Sequence, residues 1–133
     1  MLNSLRILDL SRVLAGPLST MMLGDLGADV LKVERFGTGD DTRSWGPPFD
    51  ERGESAYYLS VNRNKKSLAV DLDRRRDRDL ILHLMSDCDV VVDNFKVGTL
   101  ERRGIDPAQI LESNSNLIWC TITGFGEKSS RVG

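Results

Sequence analysis

Two hydrophobic periods alternate along this chain. Arg6–Leu10 (RILDL) places apolar residues at every second position and reads as a first strand. Ser11–Pro17 turns the chain, and Gly16 and Pro17 suit a helix start. Leu18–Leu26 supplies a helix with Met21, Met22 and Leu26 roughly on one side, and Gly27 caps its end. Val30–Glu34 is a second strand. Beyond a long loop, Ser55–Val61 fits a short helix and Ser67–Asp71 (SLAVD) a third strand. Asp73 can cap a helix reaching Met85, whose buried stripe is Leu80, Ile81, Leu84 and Met85. Asp89–Asp93 (DVVVD) is a continuous apolar run of the kind found in fully covered parallel strands. Two short helical pieces, Thr99–Arg103 and Pro107–Ser113, precede a last strand at Leu117–Thr123.

Strands that alternate with helices predict an α/β protein: a parallel sheet with helices on both faces. In such sheets ligands sit at the carboxyl ends of the strands. That rim gathers the turns Ser11–Gly16, Glu34–Arg43, Asp71–Asp73, Asn94–Thr99 and Gly124–Gly126, which are also the polar and glycine-rich ones. The loop after the second strand stands out among them. Its GTGDDTR stretch, Gly37–Arg43, combines backbone freedom with charges of both signs, which suits an anionic ligand.

Composition narrows the function. The chain has 133 residues, enough for one domain with a real core, and 40% hydrophobic and 29% charged residues are ordinary for a soluble domain. A net charge of −2 argues against nucleic acid as the main partner. No apolar run approaches the roughly 20 residues that cross a bilayer. The amino-terminal stretch is interrupted by Arg6, Asp9 and Arg12 where a secretory signal needs an unbroken core, and a cytoplasmic location or another reducing compartment is expected. Cys88 and Cys120 are the only cysteines, and both are expected to be buried reduced thiols. With them and the single His83 as the soft ligands, no metal site is expected.

Several residues carry candidate chemistry. Glu34 ends the second strand, where dinucleotide enzymes grip ribose hydroxyls, yet the first turn reads SRVLAGP and lacks the glycine fingerprint of a nicotinamide site. Arg74, Arg75, Arg76 and Arg78 interleave with Asp77 and Asp79, as on a solvated, salt-bridged face. Asn62–Lys66 (NRNKK) fits a phosphate contact or a solvated turn equally well. Asn94 can bind a ligand or satisfy its own turn. Arg102 can grip a phosphate with two hydrogen bonds or pair with Glu101 or Asp106.

Taken together, SRVLAGP, LGDLGADVLKVER, GTGDDTRSWGPP, YYLSVNRNKKSLAVDL, DVVVDNF, LERRGID and ITGFG resemble, in order and spacing, the amino-terminal part of class III CoA-transferases, the CaiB/BaiF family. Within it the likeness is to the succinyl-CoA- or dicarboxyl-CoA-dependent transferases. The resemblance runs from Leu5 to about Gly126. It implies a Rossmann-like CoA-binding domain over residues 1–126, two interlocked chains, and CoA transfer from an acyl-CoA to a carboxylic acid through aspartyl-anhydride and thioester intermediates. By position it puts CoA contacts on Leu14 and Ala15 of the first turn and on Arg35 after the second strand. Val70, Asp71, Leu72 and Asp73 follow the third strand, and Asn94, Phe95 and Lys96 the fourth. Arg102 and the segment Ile122, Thr123, Gly124, Phe125 complete the implied set. Arg35 and Arg102 would neutralise CoA phosphates, and Leu14 and Phe125 would border adenine or pantetheine.

Two departures accompany the resemblance. Some relatives carry glutamine at the position of Leu14 and tyrosine at that of Phe125. After GFG this chain reads EKSSRVG at 127–133, a divergent tail without the aspartate that the family uses as nucleophile. Asp40 and Asp41 lie in the loop and do not replace it. A carboxylate nucleophile is indispensable to the covalent route, so no catalytic residue is expected in this chain. The alternatives are a non-catalytic CoA- or nucleotide-binding module, and an assembly fragment that pairs with other polypeptide. A homo-oligomer is expected in either case.

Overall fold

In the computed structural model, residues 1–126 are described. Strands β1 (Arg6–Asp9), β2 (Asp29–Arg35), β3 (Lys65–Val70), β4 (Val90–Asp93) and β5 (Ile118–Thr121) form a parallel sheet in the order β3-β2-β1-β4-β5. Helices α1 (Ala15–Asp25), α2 (Ala56–Asn62), α3 (Arg75–Ser86) and α4 (Pro107–Ser113) connect them, with single 3-10 turns at Asp41–Ser44 and Glu101–Arg103.

Successive strand residues point to opposite faces. On one face Leu8, Leu10, Val33, Val70 and Val91 pack against Ile81 and Met85 of α3 and against Leu100 and Ile105. On the other, Ile7, Val30, Val90 and Val92 pack against Leu23 of α1. Helices therefore cover both faces, as the strand–helix alternation predicts.

The α1 face turns polar toward the carboxyl ends of the strands. Asp9, Lys32 and Glu34 follow Ile7 and Val30 on that side, and all three are buried. Lys32 Nζ lies 2.9 Å from Asp40, and Lys65 Nζ lies 3.0 Å from Asp9. Thr20 donates to Asp9 at 2.6 Å, and the Ser11 hydroxyl donates to Asp9 as well. Gly16 lets this turn close, because a Cβ there would sit 2.2 Å from Ser11 Oγ. Each pair is enclosed, so removing one partner would leave a buried uncompensated charge.

Four expectations need correction. Helix α1 begins at Ala15, and Met22 and Leu26 are 57% and 46% exposed; of the three residues expected to share one side only Met21 is buried. The third strand starts at Lys65, because six rungs of pairing with β2 carry the lysines into the sheet. In α3 Ile81 and Met85 are fully buried and Leu84 packs partly buried against the same core, but Leu80 is 41% exposed. Cys120 is exposed, because it shares the outward side of edge strand β5 with Ile118; Cys88 is half-buried.

Candidate functional site

The chain leaves β1 toward one face of the sheet and β4 toward the other, which opens a crevice between their carboxyl ends. Arg12 follows β1 and Asn94 follows β4, and the two meet across the crevice. Asn94 Oδ1 accepts from the Arg12 amide at 2.9 Å, and Asn94 Nδ2 donates to the Arg12 carbonyl at 2.8 Å. The Asn94 side chain thus satisfies the turn's backbone, one of its two sequence readings.

Beside this junction lies a slot of about 300 Å³. Leu10, Val33, Val70, Leu72 and Phe95 give it apolar walls, and Arg12, Arg35 and Arg103 line it together with the carboxylates of Glu34, Asp71 and Asp73. Two of these cations are engaged: Arg12 pairs with Asp41 at 3.2 Å, and Arg103 with Asp73 at 3.0 Å. Arg35 is exposed, and no described carboxylate pairs with it. A second, wider crevice of about 890 Å³ runs along β5, between Trp119, Thr121, Thr123 and Phe125 on one side and Lys96, Gly98 and Asp106 on the other. Phe95 borders both cavities.

The residues expected from the sequence divide accordingly. Arg35, Val70, Asp71, Leu72, Asp73 and Phe95 line the slot, and Lys96, Thr123 and Phe125 line the wide crevice. Leu14 and Ala15 open α1 and are exposed. Ile122 packs with the α1-side core, and Gly124 is exposed beyond the last strand. Arg102 is exposed, donates to Thr99 Oγ1 at 3.2 Å and lines neither cavity. Its neighbour Arg103 turns into the slot instead. Arg103, Trp119 and Thr121 escaped the sequence reading, and Arg12 and Phe36 fell within the expected rim turns without being singled out; the adjacent arginines of LERRG carried the signal for Arg103, but only the 3-10 turn tells which one faces in.

The GTGDDTR loop is tied down internally. Arg43 reaches Glu34 at 2.7 and 2.9 Å, Glu54 at 2.9 Å and the Tyr58 hydroxyl at 2.7 Å. Tyr58 and Ser67 also donate to Glu34 Oε1, at 3.0 and 2.7 Å. Burial alone would push the Glu34 carboxyl up, but hydrogen bonds from Arg43, Ser67 and the Asp40 amide bring it down to about 2. Burial, reinforced by the Glu34 charge, pushes the Tyr58 hydroxyl up. Glu34 is thus fully engaged as a structural anion, and the loop's charges answer one another. NRNKK is likewise internal: Arg63 and Asn64 hold Asp25, Lys66 holds Asp29, and Lys65 is buried. The arginine run on α3 pairs locally, Arg74 with Asp71 and Arg75 with Asp79. Among the described residues no group of three or more His, Cys, Asp or Glu could hold a metal ion, and no helix is long and apolar enough to cross a membrane.

The family profile of CoA-transferase family III matches residues 2–133. This chain belongs to that family. It is 54% identical over 135 residues to human succinyl-CoA:glutarate CoA-transferase, an alignment covering 99% of this chain and 31% of that protein. It is 50% identical to succinyl-CoA:mesaconate CoA-transferase of Haloarcula hispanica, over 95% of this chain and 32% of the relative. Among solved structures, a CaiB/BaiF family protein from Brucella suis superposes with a TM-score of 0.90 at 45% identity, covering 96% of this chain and 34% of its own. Rv3272 of Mycobacterium tuberculosis superposes at 0.87 with 37% identity, over 98% of this chain and 35% of its own. The chain spans about a third of the length of the curated family III relatives it matches.

Proposed function

We propose that residues 1–126 form the CoA-binding unit of a family III CoA-transferase whose whole protein moves CoA from an acyl-CoA to a carboxylic acid. The observation that carries this reading is Arg35, a cation with no described carboxylate partner at the lip of an apolar slot. A slot of that volume accepts a purine, and its rim offers charge-assisted hydrogen bonds to a ribose phosphate. The wide crevice along β5, with Lys96 at its mouth and Phe95 and Phe125 on its walls, suits the extended pantetheine arm. Leu14, Ala15, Asn94, Arg102, Ile122 and Gly124 complete the expected set around the same rim. Several matched relatives are named for succinyl-CoA, which supports a succinyl donor and a dicarboxylate acceptor.

The acyl transfer itself requires a carboxylate able to attack the thioester carbonyl. Every aspartate among the described residues already holds an ion pair or a hydrogen bond, those nearest the slot included: Asp71 with Arg74, Asp73 with Arg103, and Asp93 with Trp119. In this reading the chain by itself binds CoA without turning it over. Self-association through α1 and the β5 edge and a reducing, cytoplasmic setting for the exposed Cys120 thiol belong to the same reading.

Titration calorimetry with CoA tests the binding, with one site per chain expected. Incubation with succinyl-CoA and a panel of dicarboxylates, followed by mass spectrometry, tests the chemistry. No CoA binding would overturn the first claim, and repeated acyl exchange by the pure chain would overturn the second.

A further inference from the structure

Val13 stands in the first turn with φ 71°, a left-handed backbone that β-branched residues rarely adopt. Such a conformation persists only where its surroundings over-determine it. Here they do so through one peptide unit. The Arg12 carbonyl and the Val13 amide belong to the same planar group, so holding both ends fixes the plane that sets φ of Val13. Asn94 Nδ2 donates to that carbonyl at 2.8 Å, and the Val13 amide donates to both carboxylate oxygens of Asp40 at 3.3 Å. On the other side of Val13, α1 begins at once, with the Leu18 amide bonded to the Leu14 carbonyl at 2.8 Å.

Asp40 is itself immobilised. Lys32 pairs with it at 2.9 Å, both side chains at most 1% exposed, and the same ammonium donates to the Ser11 carbonyl at 2.9 Å. Thr42 donates to Asp40 from its amide at 3.0 Å and its hydroxyl at 2.8 Å, and the Asp40 amide donates to Glu34 at 2.9 Å. The strained turn is thus bolted to β2, to the charged loop and to β4 at once. What it presents to solvent is the implied ligand surface: Leu14, 45% exposed, and Ala15.

We propose that Asp40 and Asn94 are positioning residues that hold the Arg12–Val13 peptide in its left-handed setting, so that the first turn is preformed for CoA. The inference rests on the CoA-binding reading above. Without the clamp Val13 relaxes toward an extended backbone, and Leu14 and Ala15 leave the rim. Glycine adopts φ 71° without steric cost, so Val13→Gly makes the clamp dispensable.

Six proteins test this: the parent, Asp40→Asn, Asn94→Ala, Val13→Gly, and Val13→Gly combined with each clamp variant in turn. Amide exchange at Val13 and Leu14 reports the turn's order, and calorimetry reports CoA affinity. If a clamp variant leaves the turn set in about a tenth of molecules, CoA binds about tenfold more weakly. Val13→Gly alone should bind as the parent does, and added to either clamp variant it should recover most of the loss. Asn94→Ala guards against a failure of Asp40→Asn to fold, because Asn94 is only half-buried. Faster exchange in the clamp variants with affinity restored by Val13→Gly supports the proposal. Unchanged exchange, or losses that glycine does not restore, overturns it; unrestored affinity in Asn94→Ala alone would make Asn94 a direct CoA contact. A parent that fails to bind CoA would refute the CoA reading, and exchange at Val13 would then judge the clamp by itself.

Discussion

Arg43 grips Glu34 with two nitrogens, Nε at 2.7 Å from one carboxylate oxygen and Nη2 at 2.9 Å from the other. The carboxylate is 2% exposed and the guanidinium 28%. This pair closes the base of the loop that carries Asp40, so the loop's charges are spent on its own fold.

Replacing Arg43 with methionine leaves Glu34 enclosed with only neutral donors around it. Removing one partner of a buried pair costs about 3–5 kcal/mol, and the remaining hydrogen bonds to Glu34 place this loss near the lower end. Urea unfolding of Arg43→Met against the parent measures it. A loss below about 1 kcal/mol, the range of exposed pairs, would show that the neutral donors suffice.

The same carboxylate sets an acid limit. Its pKa falls from 4.5 to about 2 on folding, so the folded state binds fewer protons at this site than the unfolded one. The stabilisation is complete above pH 4.5 and drains away as pH falls toward 2. The stability gap between the parent and Glu34→Gln should therefore shrink steadily over that window. Urea midpoints at several pH values check this, and a gap that stays constant from neutral pH down to the lower limit would contradict it.

Arg35→Ala should weaken CoA binding by about 1.5–3 kcal/mol through loss of charge-assisted hydrogen bonds. Arg102→Ala, predicted from the resemblance to act alike, lies outside both cavities and tests whether CoA reaches beyond the slot. Calorimetry on both variants decides. Unchanged affinity in both removes the phosphate assignment.

Leu14, Leu18, Met22 and Leu26 recur every fourth residue and are 45%, 38%, 57% and 46% exposed. Residues four apart share a helix face, so they form one apolar stripe along the outside of α1. Ile118 on edge strand β5 is 61% exposed. Surfaces of this kind promote association, and a dimer or larger oligomer is expected, with Leu18→Glu plus Met22→Glu shifting it toward monomer. Light scattering coupled to size exclusion at micromolar concentration gives the answer. A monodisperse parent of 14.8 kDa would contradict the expectation.

Local periodicity sufficed for the architecture. The alternation of RILDL, DVLKVER and DVVVD with helical stretches declared a parallel α/β sheet, and Pro107–Ser113 forms the helix predicted at those same residues. Periodicity works because each strand or helix must bury one side, and that demand is written in neighbouring residues. The ordered motifs from SRVLAGP to ITGFG likewise declared the family.

The roles of the charged residues were decided only in three dimensions. Lys32 sits mid-strand between Val30 and Glu34 on the same face, a legible hint of a buried lysine, but its partner Asp40 comes from the following loop. Asn94 and Arg12 are joined across 82 positions of sequence, and Lys65 reaches Asp9 across 56. Nothing in local spacing says which of two adjacent arginines, Arg102 or Arg103, turns inward, or that Arg35 is left without a described partner. Apolar burial depends on a residue's own pattern, whereas an ion pair depends on a distance that exists only once the sheet has brought remote segments together.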